Sequence, residues 1–244
     1  MPQVTQRVEL VRHTVDGEAL TALAAKLCYA GGDLTALLEK IEQNDQRAFI
    51  SKILKMGHES VMEHISFTFL IEGVSRALLA QLTRHRIASF SVQSQRYVSY
   101  EKGFGYVVPP AVEALGGQAV REYAAQMDQM LVWYQDWQKK LGTNEDARFV
   151  LPNACETRLL MTMNVRELKH FLALRMCRRA QWEIRQMADT IFALCYAQMP
   201  ELFADAGPGC LRGACPEGEK ACGQMNAVRM EREEFVAAHE QSNL

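Results

Sequence analysis

Residues 64–73, HISFTFLIEG, constrain the fold more than any other stretch, because Ile65, Phe67, Phe69 and Ile71 alternate with Ser66, Thr68 and Leu70. A period of two is the mark of a half-buried strand. On either side the period returns to that of a helix, in EALTALAAKLCYA, with Leu20, Leu23, Ala24 and Leu27 on one face, and in SRALLAQLTRHR. VELVRHT reads as an opening strand and ETRLLMTMNV as a later one; LTALLEKIEQ and QRAFISKILKMG read as two amphipathic helices, the second ended by Gly57. Ser60 with Glu63 matches a capping box, as does Asn164 with Glu167 at the start of a pattern running to Cys195. That pattern is long for one globular helix, so a break is expected between Arg175 and Arg179. VREYAAQMDQMLVWYQDWQKKLG predicts a long helix, Asn144 opens a short one that ends by Pro152, and GYVVPPAVEALGG reads as a connection. The predicted class is α+β, a mixed sheet core with several long helices and no Rossmann unit.

A chain of 244 residues suits one large domain or a domain with appendages. At 48% hydrophobic and 23% charged residues it has the balance of a globular protein. A net charge of −2 argues against a surface broadly devoted to nucleic acid or anionic membrane. The N-terminal residues have no secretory apolar region, and no apolar run reaches the roughly 18 residues that span a bilayer, so a cytoplasmic protein is expected. Seven cysteines, an odd number, suggest thiols or a metal site before a disulfide framework.

Three clusters carry more polar chemistry than a core or surface requires: GHESVMEH at 57–64, RHRIASFSVQSQR at 84–96, and Asn164, Arg166, His170, Arg175, Arg178 and Arg179, with Arg148 upstream. Taken singly, each has a structural reading as cap, satisfied histidine or solvated helix face. Taken together, arginines beside serines suit planar, bidentate recognition of phosphate and point to an anionic, nucleotide-like ligand. The glycine-rich phosphate loops G-x-G-x-x-G and G-x-x-x-x-G-K-[ST] do not occur, nor do H-E-x-x-H or G-x-S-x-G.

Arg84-His85-Arg86, seven residues, then Ser94-Gln95-Arg96 resembles the R-H-R…S-x-R signature of the flavin-dependent thymidylate synthases. GHESVMEHISFTF, NVRELKHFLALR and RAQWEI reinforce the resemblance over roughly residues 50–190. It implies a catalytic domain over residues 1–200, with residues 201–244 a cysteine-containing extension. It also implies conversion of dUMP to dTMP, with methylenetetrahydrofolate as carbon donor, FAD carrying hydride, NADPH as reductant, and a homotetramer with active sites where subunits meet. By matching position, Gln81, Leu82, Thr83, Arg84, Val92, Gln93, Ser94, Gln95, Arg96, Arg148 and Arg175 are expected around dUMP. His58, Ser60, Arg84, His85, Arg86, Val92, Asn164, Val165, Arg166 and His170 are expected around FAD. Arg175 is expected at the uracil edge, where a hydrogen-bonding cation stabilises charge developing at N3 and its carbonyl.

Ser94 belongs to the expected catalytic set as a phosphate or ribose ligand, since no general base is paired with it by sequence. Val92 stands where many family members have an acidic residue, so only its backbone is expected to make contacts. His170 and Arg179 also depart from commoner family residues. Cys210, Cys215 and Cys222, spaced C-x4-C-x6-C, leave three states open with Cys177: unmetallated thiols, a four-cysteine zinc site, or a disulfide. No metal is assigned. The rival from another class is an anion- or nucleic-acid-binding module using the same arginines, against which the low net charge counts.

Overall fold

The computed structural model describes residues 1–242. In chain order the elements are β1 (Arg7–His13), α1 (Gly17–Leu27), α2 (Leu34–Glu42), α3 (Arg47–Lys55), β2 (Ser66–Ser75), α4 (Arg76–Leu82), β3 (Ala88–Val92), α5 (Pro110–Glu113) and α6 (Gly117–Leu141). They continue with α7 (Asn144–Ala147), β4 (Glu156–Asn164), α8 (Val165–Arg175), α9 (Trp182–Gln198), α10 (Pro200–Phe203) and α11 (Met225–Ser242). The strands form one four-stranded antiparallel sheet in the order β1-β2-β4-β3, within the α+β class. An isolated parallel bridge, Gln3 to Tyr106, and an antiparallel one, Tyr106 to Cys155, lie beside it.

The alternation in β2 is realised as read: Phe67, Phe69 and Ile71 are fully buried and Leu70 is exposed. The late helical pattern divides as expected, α8 ending at Arg175 and α9 starting at Trp182, where the Gln181 side chain accepts hydrogen bonds from the Glu183 and Ile184 N–H groups at 3.2 Å. Asn164 caps α8, its Oδ1 accepting from Glu167 N–H at 2.9 Å. The capping box expected at Ser60 and Glu63 requires correction. A short 3-10 helix, Glu59–His64, occupies that stretch, and the Glu63 carboxylate is taken by Arg166 instead. The segment read as a connection contains α5, started by Pro110 in the first helical position, where its missing N–H costs nothing.

Two compact units divide the chain: Met1–Glu9 with Phe69–Met161, and Leu10–Thr68 with Thr162–Leu244. In the first unit Tyr100, Phe104, Tyr106, Met127, Tyr134 and Cys155 form an apolar cluster under α6. Gly73 of this unit has φ +67°, and a Cβ there would collide with the Thr5 carbonyl, so glycine is required. In the second unit Phe67 packs edge-on to Phe203 at 5.6 Å, and α8 and α9 bury Leu168, Phe171, Ile184, Met187 and Ile191. Residues 201–242 lie in this second unit, where Phe235 of α11 meets Phe192 and Tyr196 of α9 at 5.1 and 5.5 Å. Among the described residues no helix is long and apolar enough to cross a membrane.

Candidate active site

In the first unit the R-H-R triplet follows the last residue of α4. The N–H groups of Thr83, Arg84 and His85 bond back to the carbonyls of Leu79, Gln81 and Leu82 at 3.1, 3.4 and 3.1 Å. That frayed turn is the negative end of the helix dipole, a favourable seat for cations. Arg84 and Arg86 are exposed, whereas His85 is buried. Gln81 is half-buried, the Thr83 hydroxyl bonds back to Leu79 O at 3.0 Å, and the Leu82 side chain is wholly buried, so Leu82 has only backbone to offer a ligand.

The chain passes through β3, which ends at Val92, into a loop whose first residue, Gln93, is held through both of its main-chain groups. Gln93 N–H donates to Arg158 O at 2.9 Å, and Arg76 donates to Gln93 O at 2.8 Å. Ser94 Oγ accepts from Arg96 N–H at 3.1 Å, which turns the Arg96 side chain toward α7. There Arg96 pairs with Glu145 at 3.0 Å, and Arg148 Nε donates to the Glu145 carbonyl at 2.9 Å. Asn144 completes the corner: its amide donates to Arg96 O at 3.2 Å while its oxygen accepts from Tyr134 and Gln138. Arg96, held by Ser94, and Arg148 thus meet at Glu145, one at its carboxylate and the other at its main-chain carbonyl. Gln95 turns the other way, its amide reaching Cys155 Sγ at 3.7 Å, and burial pushes that thiol up to about 11.

In the second unit Arg166, in the first turn of α8, pairs with Glu63 and lies 3.8 Å from Glu59. These contacts tie α8 to the 3-10 helix whose flank carries the exposed His58 and Ser60. The hydrogen bond that Arg166 donates to Glu63 raises the guanidinium above its ordinary value. Exposed His170 follows four residues later, on the same helix face as Arg166. Val165 N–H is committed to Ile65 O at 2.9 Å, and Asn164 to its cap. Arg175 ends α8, half-buried, and lines a cleft with Cys177, Arg179, Cys210, Arg212 and Cys215.

Sequence reasoning missed the carboxylates. Glu145 falls in the short helix opened by Asn144 and Glu59 within the GHESVMEH cluster, yet both hold arginines of the expected site. The only signal was acidic residues recurring wherever arginines cluster, which is too common on surfaces to identify partners.

The description "Thymidylate synthase complementing protein" belongs to the family model that matches residues 9–201. A flavin-dependent thymidylate synthase of Geobacter sulfurreducens is 50% identical over 224 residues, 91% of this chain and 96% of that protein. One from Nitratidesulfovibrio vulgaris is 48% identical, over 92% of this chain and 97% of its own, and one from Clostridium tetani 40%, over 89% and 93%. A solved structure, a UMP/dUMP methylase from Streptomyces cacaoi bound with 5-Br dUMP, superposes with a TM-score of 0.69 at 26% identity, covering 83% of this chain and 94% of that one. With these matches extending over most of its length, the chain belongs to the flavin-dependent thymidylate synthase family.

Proposed function

We propose that the protein converts dUMP to dTMP, taking one carbon from methylenetetrahydrofolate and hydride from FAD reduced by NADPH. The observation that carries the reading is the gathering of Ser94, Arg96 and Arg148 at one corner of the first unit. Two guanidinium groups and a hydroxyl are the donors a nucleotide phosphate needs, and the fixed loop spares them the entropy of ordering on binding. Gln81, Thr83, Arg84, Gln93 and Gln95, with the backbones of Leu82 and Val92, complete the proposed nucleotide set.

The second unit's donors fit a flavin. His58, Ser60, Arg166 and His170 are polar and exposed, and Arg166 offers the planar charge that suits a diphosphate. Asn164 and Val165 border this rim; Arg84, His85 and Arg86 belong to the proposed flavin set by their positions in the signature. FAD, when bound, supplies the hydride.

Arg175 activates the pyrimidine. Hydrogen bonding to the uracil edge stabilises negative charge at N3 and its carbonyl, making C5 nucleophilic, and one such donor is worth about 3–4 kcal/mol in a water-poor site. C5 would then bond the methylene carbon and give up its proton, the carbon–nitrogen bond to the folate would break to release tetrahydrofolate, and hydride would complete the methyl group. No cysteine nucleophile is required. The outer face of α6 exposes Trp133, Trp137 and Leu141 at intervals of four residues, the kind of apolar stripe that subunit contacts cover, and supports assembly as a homotetramer.

The test is release of the C5 hydrogen from labelled dUMP by purified protein with FAD, NADPH and methylenetetrahydrofolate, each omitted in turn. Release dependent on both flavin and reductant is expected. A yellow protein that binds dUMP and releases nothing would sink the synthase reading.

A further inference from the structure

Between α10 and α11 the chain has no regular element longer than three residues, only the 3-10 turns Gly209–Leu211 and Gly218–Lys220. Residues 207–224, GPGCLRGACPEGEKACGQ, include Leu211 as their single large aliphatic or aromatic residue. Apolar burial therefore offers little against a backbone ordering cost on the order of 1–2 kcal/mol per residue. The segment is nonetheless held in a defined path. Arg229 donates to Cys210 O at 2.9 Å and to Gly213 O at 2.7 Å, Arg212 to Asp205 O at 2.6 Å, and Arg179 to Lys220 O.

That path brings cysteines together. Cys210 and Cys215 line one cleft with Cys177, which stands in the turn between α8 and α9. Cys222 follows the turn anchored by Arg179. Arg179 lines that cleft and donates to Lys220 O, so it holds the segment two residues before Cys222 beside the same cleft. The other three cysteines lie elsewhere: Cys28 at the exposed end of α1, Cys155 in the first unit, Cys195 inside α9. All seven are free thiols.

We propose that Cys177, Cys210, Cys215 and Cys222 bind one zinc ion, which staples the C-terminal segment to the turn between α8 and α9. Four thiolates are the donor set of a closed, tetrahedral structural zinc site. Such a centre carries a net charge of −2, and Arg179 and Arg212 line the same cleft to offset it. Among the described residues no three of these thiols stand within 4.8 Å of one another, so the metal draws the loop arms inward as it binds. A loop with almost no core of its own is where a metal contributes folding energy outright.

The experiment is metal analysis of the full chain purified without chelator from zinc-replete cells. Circular dichroism and flavin content serve as folding controls. About one equivalent of zinc per chain is expected, falling at least tenfold in a Cys215→Ser/Cys222→Ser variant and unchanged in Cys28→Ser. Should the double variant fail to fold, the wild-type chain still decides: a zinc chelator is expected to release the metal and raise the count of rapidly alkylated cysteines by three or four. Less than about a tenth of an equivalent of zinc would overturn the proposal. So would a disulfide among these cysteines by mass spectrometry, iron with an iron–sulfur absorption spectrum, or zinc retained by a folded double variant.

Discussion

Glu145 is the most informative residue to change, because its replacement is expected to strengthen ligand binding. In the free protein its carboxylate pairs with Arg96 at 3.0 Å, with side-chain exposures of 53% and 46%. An ion pair this exposed is worth about 0.2–1 kcal/mol. A nucleotide phosphate bringing about −1.5 to −2 charges must displace that pair or sit beside a like charge. Glu145→Gln removes both obstacles and leaves the backbone carbonyl that accepts from Arg148 in place. Recovering about 0.5–1 kcal/mol lowers the dUMP Kd two- to fivefold. The same change removes an acid from the first turn of α7, so stability falls slightly, by about 0.3–1 kcal/mol at most. Affinity and stability therefore move in opposite directions. Isothermal titration at two ionic strengths is the assay, and the gain is expected to shrink as salt rises. Arg96→Ala, the control, weakens binding. If Glu145→Gln, folded normally, binds dUMP no better than the parent, the Arg96 corner is not where the phosphate sits.

Arg175→Ala is expected to keep flavin absorbance while lowering kcat by roughly 10²–10³, measured by dTMP formation; near-normal turnover would remove Arg175 from the chemistry. Asn164→Ala removes the α8 cap and costs about 1 kcal/mol, which corresponds to a fall of roughly 2–4 °C in Tm. Asn164→Asp is expected to retain the cap, and equal losses from the two variants would show that capping is not the cause. Cys155 is protonated in the fold up to about pH 11, against an ordinary value of 9.0. The unfolded chain ionises first, so this contribution is complete below pH 9 and is lost by pH 11, on the order of 2–3 kcal/mol. Denaturant titrations are expected to show a shallower decline over that window in Cys155→Ala than in the parent, and parallel curves would contradict the assignment.

The features read correctly from sequence are those whose cause is local. The alternation around Phe67, the cap at Asn164 and the break after Arg175 each depend on residues within a few positions of one another. The misread features depend on distant partners. Ser60 and Glu63 have the spacing of a capping box, but Glu63 is claimed by Arg166, 103 residues away. Side-chain orientation also depends on distant partners: the Leu82 side chain is wholly buried and the Gln95 amide reaches Cys155, 60 residues away, which leaves their expected ligand contacts standing but was not legible in the sequence. The path of residues 207–224 was equally invisible, because main-chain acceptors rather than an apolar pattern hold it.

The same long-range pairing bears on how anions enter. Arg96 in the first unit and Arg166 in the second each hold carboxylates in the free protein. Binding at either place is then an exchange of one anion for another rather than neutralisation of a bare cation. An exchange releases little net charge, so affinity gains less from long-range attraction and more from geometry, where a bidentate phosphate outcompetes a monodentate, solvent-exposed carboxylate. Polyanions, which bind through summed charge and counterion release, gain least from such sites. If Arg96 and Arg166 are the phosphate contacts proposed above, their guarding carboxylates and a net charge of −2 favour a small, well-shaped phosphate ligand over nucleic acid.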